Sequence, residues 1–130
     1  APDYLATAGL PAEPADLNGH LCMCYWRERA DDAWLLSDGE RRQPVRVRGR
    51  FHANNPEAVL QAALAGLGVA LLPDYVAQEP LAGGRLLRVL PGWTPSTHFG
   101  TQIVAVTTPE RLRIARNRAL LDHLREHLGG

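Results

Sequence analysis

Residues 52–77, HANNPEAVLQAALAGLGVALLPDYVA, combine a helix start, a helix stop and a buried strand in one continuous segment. Either of the paired asparagines is suited to cap a helix, the proline fits its first position, and the next glutamate complements its positive end. Gly66 and Gly68 end the helix, and the apolar run VALLP then predicts a short strand. A helix that returns through a glycine turn to a wholly apolar strand is typical of an α/β fold with a parallel sheet covered on both faces.

The order of these parts excludes two interpretations of a glycine-containing apolar segment. A phosphate-binding loop needs a strand, then glycines, then a helix, so that the N–H groups of the helix face the anion. In this chain the glycines follow the helix. A membrane span is excluded for this segment as well, because the apolar run between Glu57 and Asp74 is too short.

The remaining elements are predicted from alternation, capping and turn chemistry. In chain order we expect helices at 2–9 and 14–20, strands at 21–26, 33–36 and 43–53, a short helix from residue 74, strands at 85–90 and 101–108, and a helix at 111–128. The sequence SDGE at 37–40 is typical of a hairpin turn, because Asp and Gly tolerate positive φ. Residues 91–100 are rich in Pro, Gly, Ser and Thr, so they are the best candidate for a domain boundary. The apolar stripe of the closing helix consists of Leu120, Leu121, Leu124 and Leu128.

Strict alternation marks residues 43–53, QPVRVRGRFHA, as one half-buried strand. One face carries Val45, Val47, Gly49 and Phe51, and the other carries Arg46, Arg48 and Arg50. The arginine face fits either a track for phosphate groups or a solvated surface, and the solvated surface is the commoner outcome of such a pattern.

The charge balance limits what this chain can bind alone. Fourteen basic residues, all of them arginine, balance fourteen acidic residues. A free-standing nucleic-acid binder usually has a clear basic excess, so this chain by itself is not expected to hold DNA. Cys22 and Cys24 lie too close in sequence for ordinary disulfide geometry, and we interpret them as reduced thiols of a cytoplasmic protein. The first residues contain no signal peptide and resemble a chain entered in mid-domain, and no segment predicts a membrane partner.

Two groups of side chains that could bind a metal are better explained by their positions on a helix and a strand. HLREH, residues 123–127, matches a zinc-peptidase pattern, but a solvated helix face is favoured because no third ligand follows. His20, Cys22 and Cys24 share a strand face, and packing is favoured because no second ligand pair appears. No nucleophile elbow or catalytic carboxylate pair is evident either. We therefore expect no catalytic residue, no bound metal and no cofactor.

Asn54 and Asn55 are the strongest candidates for a binding site. They lie where the arginine-rich strand meets the N-terminus of the buried helix, which offers unsatisfied N–H groups and partial positive charge. Carboxylates and other small anions bind at such positions. The alternative is that one asparagine only caps the helix, and both roles are compatible.

Three stretches of the chain form a familiar series: PDYLATAGLPAEPADLNGHLCMCY, then ANNPEAVLQAALAGLGVALLPDYVAQEPLAGGRLLRVLPGW, then the closing strand and helix. With these stretches in this order, essentially the whole chain resembles the effector-binding domain of LysR-type transcriptional regulators. The most specific parts of this similarity are residues 54–73, NNPEAVLQAALAGLGVALLP, and residues 81–86, LAGGRL. AVTTPERLRIARNR departs from the commoner family pattern, which has Tyr-Pro in the closing strand.

The resemblance implies an α/β, periplasmic-binding-protein-like fold of type 2, in which each lobe is a Rossmann-like mixed sheet flanked by helices. It assigns residues 1–97 to the second lobe of the effector-binding domain. Residues 98–130 would be the hinge return with the closing strand and helix of the first lobe. The winged helix-turn-helix that binds DNA would lie outside this chain.

The resemblance also implies roles for particular residues. A small-molecule effector would contact the strand-to-helix junction His52, Ala53, Asn54 and Asn55. The arginine-rich strand and the helix N-terminus, apart from the resemblance, favour an anionic effector. Self-association into a dimer or tetramer would use the following helix, with Val59, Leu60, Ala63 and Leu67 as interface candidates. Effector binding would alter the conformation of the oligomer and its promoter binding. The alternative is a solute-binding protein of a transport system, which shares the fold and would be secreted.

Overall fold

The structure of the protein is a computed structural model that describes residues 1–25, 32–49, 51–96 and 104–128. The chain divides into two compact units, Ala1–His98 and Phe99–Gly130. The division falls within the Pro- and Gly-rich segment at 91–100. The assignment of the two units to the two lobes of a regulator stays a prediction.

The first unit contains three α-helices and six strands in its described part. In chain order these are α1 (Pro2–Ala8), a 3₁₀ helix (Pro14–Gly19), β1 (Cys22–Tyr25), β2 (Ala33–Ser37), β3 (Arg42–Arg46), β4 (His52–Ala53), α2 (Pro56–Leu64), β5 (Val69–Ala70), α3 (Asp74–Ala82) and β6 (Thr94–Ser96). The described part of the second unit contains α4 (Pro109–Leu112) and α5 (Ala115–Leu128).

The six strands form two sheets of three strands each. In the first sheet β1 lies between β4 and β5, and both neighbours are parallel to it. In the second sheet β2 lies between β3 and β6, and both neighbours are antiparallel to it. The connection from β4 to β5 contains α2, as a parallel crossover requires.

The parallel sheet separates two hydrophobic cores. Cys22 of β1 and its register partner Val69 belong to the core shared with the antiparallel sheet, which includes Trp34. Met23 and its partner Ala70 belong to the core shared with α2. Because successive strand residues point to opposite faces, β1 contributes to both cores, which explains why its sequence is apolar without alternation.

Two glycines allow the neighbouring strands to approach the start of β1. A Cβ atom at Gly49 would lie 1.6 Å from the carbonyl oxygen of Cys22, and a Cβ at Gly68 would lie 2.1 Å from that of Leu21. Gly68 also has a φ of +153°. Only glycine fits at either position, because the atoms in conflict belong to backbone that cannot rotate away.

The hairpin predicted at SDGE joins β2 to β3. Gly39 has a φ of 98°, and the carboxylate of Asp38 accepts hydrogen bonds from the backbone N–H groups of Glu40 at 3.1 Å and Arg41 at 2.8 Å. The Arg41 side chain pairs with the same carboxylate at 2.6 Å and lies 5.2 Å from the ring centre of Trp93. These contacts lower the pKa of Asp38, the backbone N–H of Arg41 being the largest cause.

Tyr4 attaches α1 to the start of the parallel sheet. Its hydroxyl oxygen accepts a hydrogen bond from the backbone N–H of Leu21 at 3.0 Å and lies 3.1 Å from Nδ1 of the buried His20. Cys22 is buried, and its Sγ lies 3.8 Å from the Leu17 carbonyl oxygen. Packing therefore accounts for His20 and Cys22, and the side chain of Cys24 lies outside the described part of the structure.

The prediction of one continuous strand at 43–53 is wrong. The segment forms β3, an isolated bridge between Arg48 and Leu21, and then β4 in the other sheet. The bridge pairs Arg48 with Leu21 and the register of β4 pairs His52 with Cys24, so the two pairings do not belong to one continuous register. The predicted faces hold before this point, since Val45 and Val47 are buried and Arg46 and Arg48 are exposed. Arg50 lies outside the described residues.

The strand predicted at 85–90 is also wrong. This segment is irregular, and Leu90 has a φ of 52°. Leu86 packs in the core below α2, whereas Leu90 packs in the core below the antiparallel sheet. Residues 86 and 90 would point to the same face of a regular strand, so their packing in different cores is not compatible with one. Part of the predicted connection, Thr94–Ser96, is a strand instead.

The second unit departs from two predictions. Residues 104–108 are not a strand, and Val106 is 91% exposed; residues 101–103 lie outside the described part. The helix predicted at 111–128 is divided into α4 and α5, and the side-chain N–H of Asn117 donates to the Arg111 carbonyl oxygen at 2.9 Å across the division. Of the predicted stripe, Leu120 is 57% exposed, Leu121 and Leu124 are half-buried, and the side chain of Leu128 lies outside the described part. No helix among the described residues is long and apolar enough to cross a membrane.

Replacement of either close-approach glycine should strongly destabilise the first unit. We expect Gly49→Ala and Gly68→Ala each to lower the free energy of unfolding by about 3 kcal/mol or more, because the added methyl overlaps backbone atoms. Gly92→Ala is the matched control, since a Cβ there meets no atom within 4 Å. Urea unfolding measures all three variants. Equal stabilities of the Gly49 and Gly92 variants would contradict this packing.

The Asp38 carboxylate should titrate below its ordinary pKa of 3.8. Because the folded pKa is lowered, its stabilisation of the hairpin is present above that ordinary value and is lost as the pH falls through the folded value. We expect Arg41→Gln to raise the pKa of Asp38 only part of the way, since the backbone N–H of residue 41 remains. Asp16 is the control, because its lowered pKa comes from the backbone N–H groups of Glu13 and Ala12. Carbon-detected NMR titration measures both, and an unchanged Asp38 would contradict the assignment.

Candidate functional site

The carboxyl ends of the three parallel strands meet at one edge of the first sheet. Asn54, Asn55 and α2 follow the end of β4, and Leu71–Pro73 and α3 follow the end of β5. Both helices therefore begin at this edge, on either side of the end of β1. In open parallel sheets, ligands bind in the crevice beyond the carboxyl ends of the strands.

The four predicted effector contacts form the turn from β4 into α2. His52 and Ala53 pair with Cys24 and Tyr25 of β1 through the backbone. Ala53 is half-buried against the core below α2, whereas the side chains of His52, Asn54 and Asn55 are exposed. His52 and Asn54 each already make a non-covalent contact within the chain. The three polar side chains therefore lie at the surface of the sheet edge.

The two asparagines differ in what they do for the helix. Asn55 is the N-cap of α2, and its Oδ1 accepts a hydrogen bond from the backbone N–H of Glu57 at 2.9 Å. The side chain of Asn54 lies one residue before the cap, in a bend between strand and helix. Asn55 is thus the helix cap, a role that the sequence allowed for either asparagine. Asn54 is the better candidate for a contact with a ligand.

The start of α2 offers fewer backbone donors than its sequence predicts. Pro56 has no N–H group, and the N–H of Glu57 is taken by the Asn55 cap. The N–H of Val59 already donates to the Asn55 carbonyl oxygen at 3.2 Å. Ala58 is therefore the remaining first-turn donor at this helix end.

The start of α3 is a second group of donors, which the sequence analysis missed. Its N-cap, Pro73, has no side-chain hydrogen bond, and the first N–H groups that donate to Pro73 belong to Val76 and Ala77. The N–H groups of Asp74 and Tyr75 are therefore left unused by the helix. The signal was present in the sequence as Pro-Asp after the apolar strand, which is a helix start.

The charges at this edge are acidic side chains in the first turns of the helices. Glu57 lies at the start of α2 and Asp74 at the start of α3, and both are exposed. Arg42 and Arg46 belong to the antiparallel sheet instead. Of the arginines that favoured an anionic effector, Arg46 therefore lies in the other sheet, and Arg50 lies outside the described residues.

The interface candidates on α2 differ in how accessible they are. Val59, Leu60 and Ala63 are 1%, 7% and 4% exposed and pack in the core below α2. Leu67, which follows the helix, is 44% exposed. Of the four, Leu67 is the residue with substantial surface for a second chain, and the interface itself stays a prediction.

The described residues bring no metal-binding cluster together. No group of three His, Cys, Asp or Glu side chains in the described ranges is placed to hold a metal ion. His123 and His127 are exposed on α5 with ring centres 4.1 Å apart, and Nδ1 of His127 lies 2.8 Å from the His123 carbonyl oxygen. The second histidine thus contacts the backbone of its own helix.

Comparison with known proteins identifies the family. The family model of the LysR substrate-binding domain matches residues 1–129. The transcriptional regulator PtxR of Pseudomonas aeruginosa is 38% identical over 134 residues, which cover 98% of this chain and 40% of PtxR. The probable transcriptional regulator LtrA of Klebsiella pneumoniae is 32% identical over 123 residues, which cover 95% of this chain and 40% of LtrA.

Solved structures agree with these sequence relatives. CrgA, a LysR-type transcriptional regulator from Neisseria meningitidis, superposes with a TM-score of 0.73 at 26% identity, over 100% of this chain and 43% of CrgA. The virulence activator AphB of Vibrio cholerae superposes with a TM-score of 0.65 at 29% identity, over 74% of this chain and 33% of AphB. The chain thus has the α/β fold of such regulatory domains, which is periplasmic-binding-protein-like.

These relatives limit what can be concluded for the whole protein. They are transcriptional regulators and not solute-binding proteins of transport systems, so the transport alternative has no support. The chain spans about two fifths of the length of the curated relatives that it matches. The family-model match covers almost every residue of this chain, and the chain therefore belongs to the LysR substrate-binding domain family.

Proposed function

We propose that this chain is the effector-sensing part of a LysR-type transcriptional regulator. The observation that carries the proposal is the family match over residues 1–129. The relatives are named as transcriptional regulators, and none of those compared above is named as an enzyme. The chain would act by binding a small molecule, without catalysis, in a cytoplasmic protein that holds DNA through a separate N-terminal domain.

The effector would bind at the carboxyl edge of the parallel sheet. Two helix starts flank this edge, and the exposed side chains of His52 and Asn54 lie between strand and helix. An amide side chain both donates and accepts hydrogen bonds, so Asn54 can select the orientation of a polar group on the effector. Ala53, half-buried beside it, leaves room for the ligand to approach the backbone.

The acidic side chains at this edge restrict where an anionic effector could bind. A carboxylate on the effector would use mainly the backbone N–H groups at the start of α3, because only the N–H of Ala58 remains at the start of α2. Glu57 and Asp74 would repel it at longer range. The favoured position for an anionic group is therefore the α3 side of the edge.

Effector binding would regulate by redistributing conformations of an oligomer. A ligand shifts such an equilibrium only by its difference in affinity for the two states. In this proposal the regulator self-associates, and Leu67 is the residue of the predicted interface set that remains accessible to a second chain. A change in oligomer conformation would then alter promoter binding.

Asn54→Ala in the full-length protein should separate effector binding from DNA binding. We expect the effector concentration for half-maximal response to rise about tenfold, which corresponds to the loss of one or two hydrogen bonds, while operator affinity stays unchanged. A library of small polar metabolites screened by thermal shift supplies the effector, and a gel-shift titration with operator DNA gives both quantities.

Gln78→Ala is the matched control, because it removes an exposed amide from α3 away from the sheet edge. It should leave the effector response and the operator affinity as they are in the unchanged protein. An equal loss of both quantities in Asn54→Ala would mean that Asn54 supports the fold and not the effector site. Failure of the whole protein to bind any DNA would contradict the regulator assignment itself.

A further inference from the structure

The outward face of the antiparallel sheet carries arginines that pair with no carboxylate. Adjacent strands place directly opposite residues on the same face, so the register defines this surface. Its members, which we call the outer face, are Ala33, Leu35, Ser37, Arg42, Pro44, Arg46, Thr94 and Ser96. Ser37 and Leu35 are half-buried and the other six are exposed.

The register arranges the outer face in three rows across the sheet. Arg42 lies opposite Ser37, which in turn lies opposite Thr94. In the next row Pro44, Leu35 and Ser96 lie side by side. Arg46 lies opposite Ala33 in the last row. The surface therefore has guanidinium groups along one edge, hydroxyl groups along the other and small apolar side chains between them.

This surface is positively charged and unneutralised. None of its eight members is acidic, and no ion pair among the described residues involves Arg42 or Arg46. Arg48 continues the same line of exposed arginines beyond the end of β3. The nearby Asp38 carboxylate is already taken by Arg41. The charge on this face is thus available to a partner outside the chain.

The chemistry of the face favours an acidic protein over a nucleic acid. Single-stranded nucleic acids bind sheet surfaces through stacked aromatic side chains, and the outer face has none. The whole chain has equal numbers of acidic and basic residues, so long-range attraction to duplex DNA is weak. Arginine guanidinium groups, in contrast, form paired hydrogen bonds with carboxylates, and an apolar centre with a polar rim is typical of protein interfaces.

We propose that the outer face is a docking surface for an acidic segment of another protein, whose carboxylates bind Arg42 and Arg46. The partner lies across the face and does not extend the sheet, because each edge strand contains a proline without an N–H to donate, Pro44 in β3 and Pro95 in β6. The surface is small, so the interaction is weak and transient. It is independent of the proposed effector site, which lies at the edge of the other sheet.

The spacing of the two arginines defines the probe. Four residues along a strand separate Arg42 from Arg46 by about 13 Å. An extended peptide of alternating glutamate and threonine, Glu-Thr-Glu-Thr-Glu-Thr-Glu, has carboxylates at the same separation on one side. A peptide of the same composition with its four glutamates in one block has only two of them on each side when extended, about 7 Å apart. The alternating peptide is therefore expected to bind the two arginines more tightly than the blocked peptide.

The test compares two double variants of the full-length protein by fluorescence polarisation at low ionic strength. Arg42→Glu with Arg46→Glu should weaken binding of the alternating peptide at least about tenfold, because it replaces both attractive contacts with repulsion. Arg88→Glu with Arg116→Glu is the control of equal charge change, at exposed arginines without an ion pair. The control should weaken binding less than about twofold.

Each alternative outcome overturns the proposal. Equal loss in both variants would mean that net charge alone attracts the peptide. Equal affinity for the blocked and alternating peptides would remove the spacing argument. If the outer-face variant instead loses affinity for non-operator duplex DNA and the peptide does not bind, the surface would be a phosphate-binding face. Circular dichroism of both variants checks that each one is folded.

Discussion

At the start of the central strand, the backbone of Leu21 and Cys22 leaves no room for a side chain at the two positions that approach it. Gly49 approaches from one side and Gly68 from the other, each against a backbone carbonyl of β1. Because this contact fixes β4 and β5 relative to β1, it sets which residues of the parallel sheet point to each core. The two cores, the order of the sheet and the position of its carboxyl edge all depend on it.

The position of that edge determines the candidate site. β4 ends beside Tyr25 and β5 ends beside Met23, so both strands lead into a helix at the carboxyl edge but end two residues apart along β1. The two helix starts are not equivalent. Asn55 caps α2, while Pro73 leaves the first N–H groups of α3 unused. The family match and this geometry together support an effector site in which side-chain amides and backbone donors come from different elements.

The sequence predicted the elements in which local signals and packing agree. The Asn-Pro-Glu start and Gly-Leu-Gly stop of α2 are local capping signals, and the structure confirms both. The hairpin at Ser37–Glu40 is confirmed for the same reason. At the site, the segment around Asn54 was predictable because a helix cap after a strand is visible in the sequence, although the division of roles between the two asparagines was not.

The wrong predictions concern segments whose structure depends on distant residues. Residues 85–90 have strand-like composition, but Leu86 and Leu90 fill different cores, and the sequence does not show how a segment divides its side chains between two cores. Residues 104–108 alternate like a strand, yet a strand needs a backbone partner and the described part of the second unit contains none. The arginines of β3 were visible in the sequence. That β3 belongs to a different sheet from the candidate site is known only from the strand order of the structure.

Hydrogen–deuterium exchange of the full-length protein, with and without its effector, tests the central claim most directly. A ligand at the carboxyl edge should slow exchange of the backbone amides at residues 53–55, 57, 58 and 74–76. The amides at the opposite edge of the sheet, residues 19–21 and 67–68, should not change. Protection confined to that opposite edge, or absent from both helix starts, would contradict an effector site at the carboxyl ends of the parallel strands.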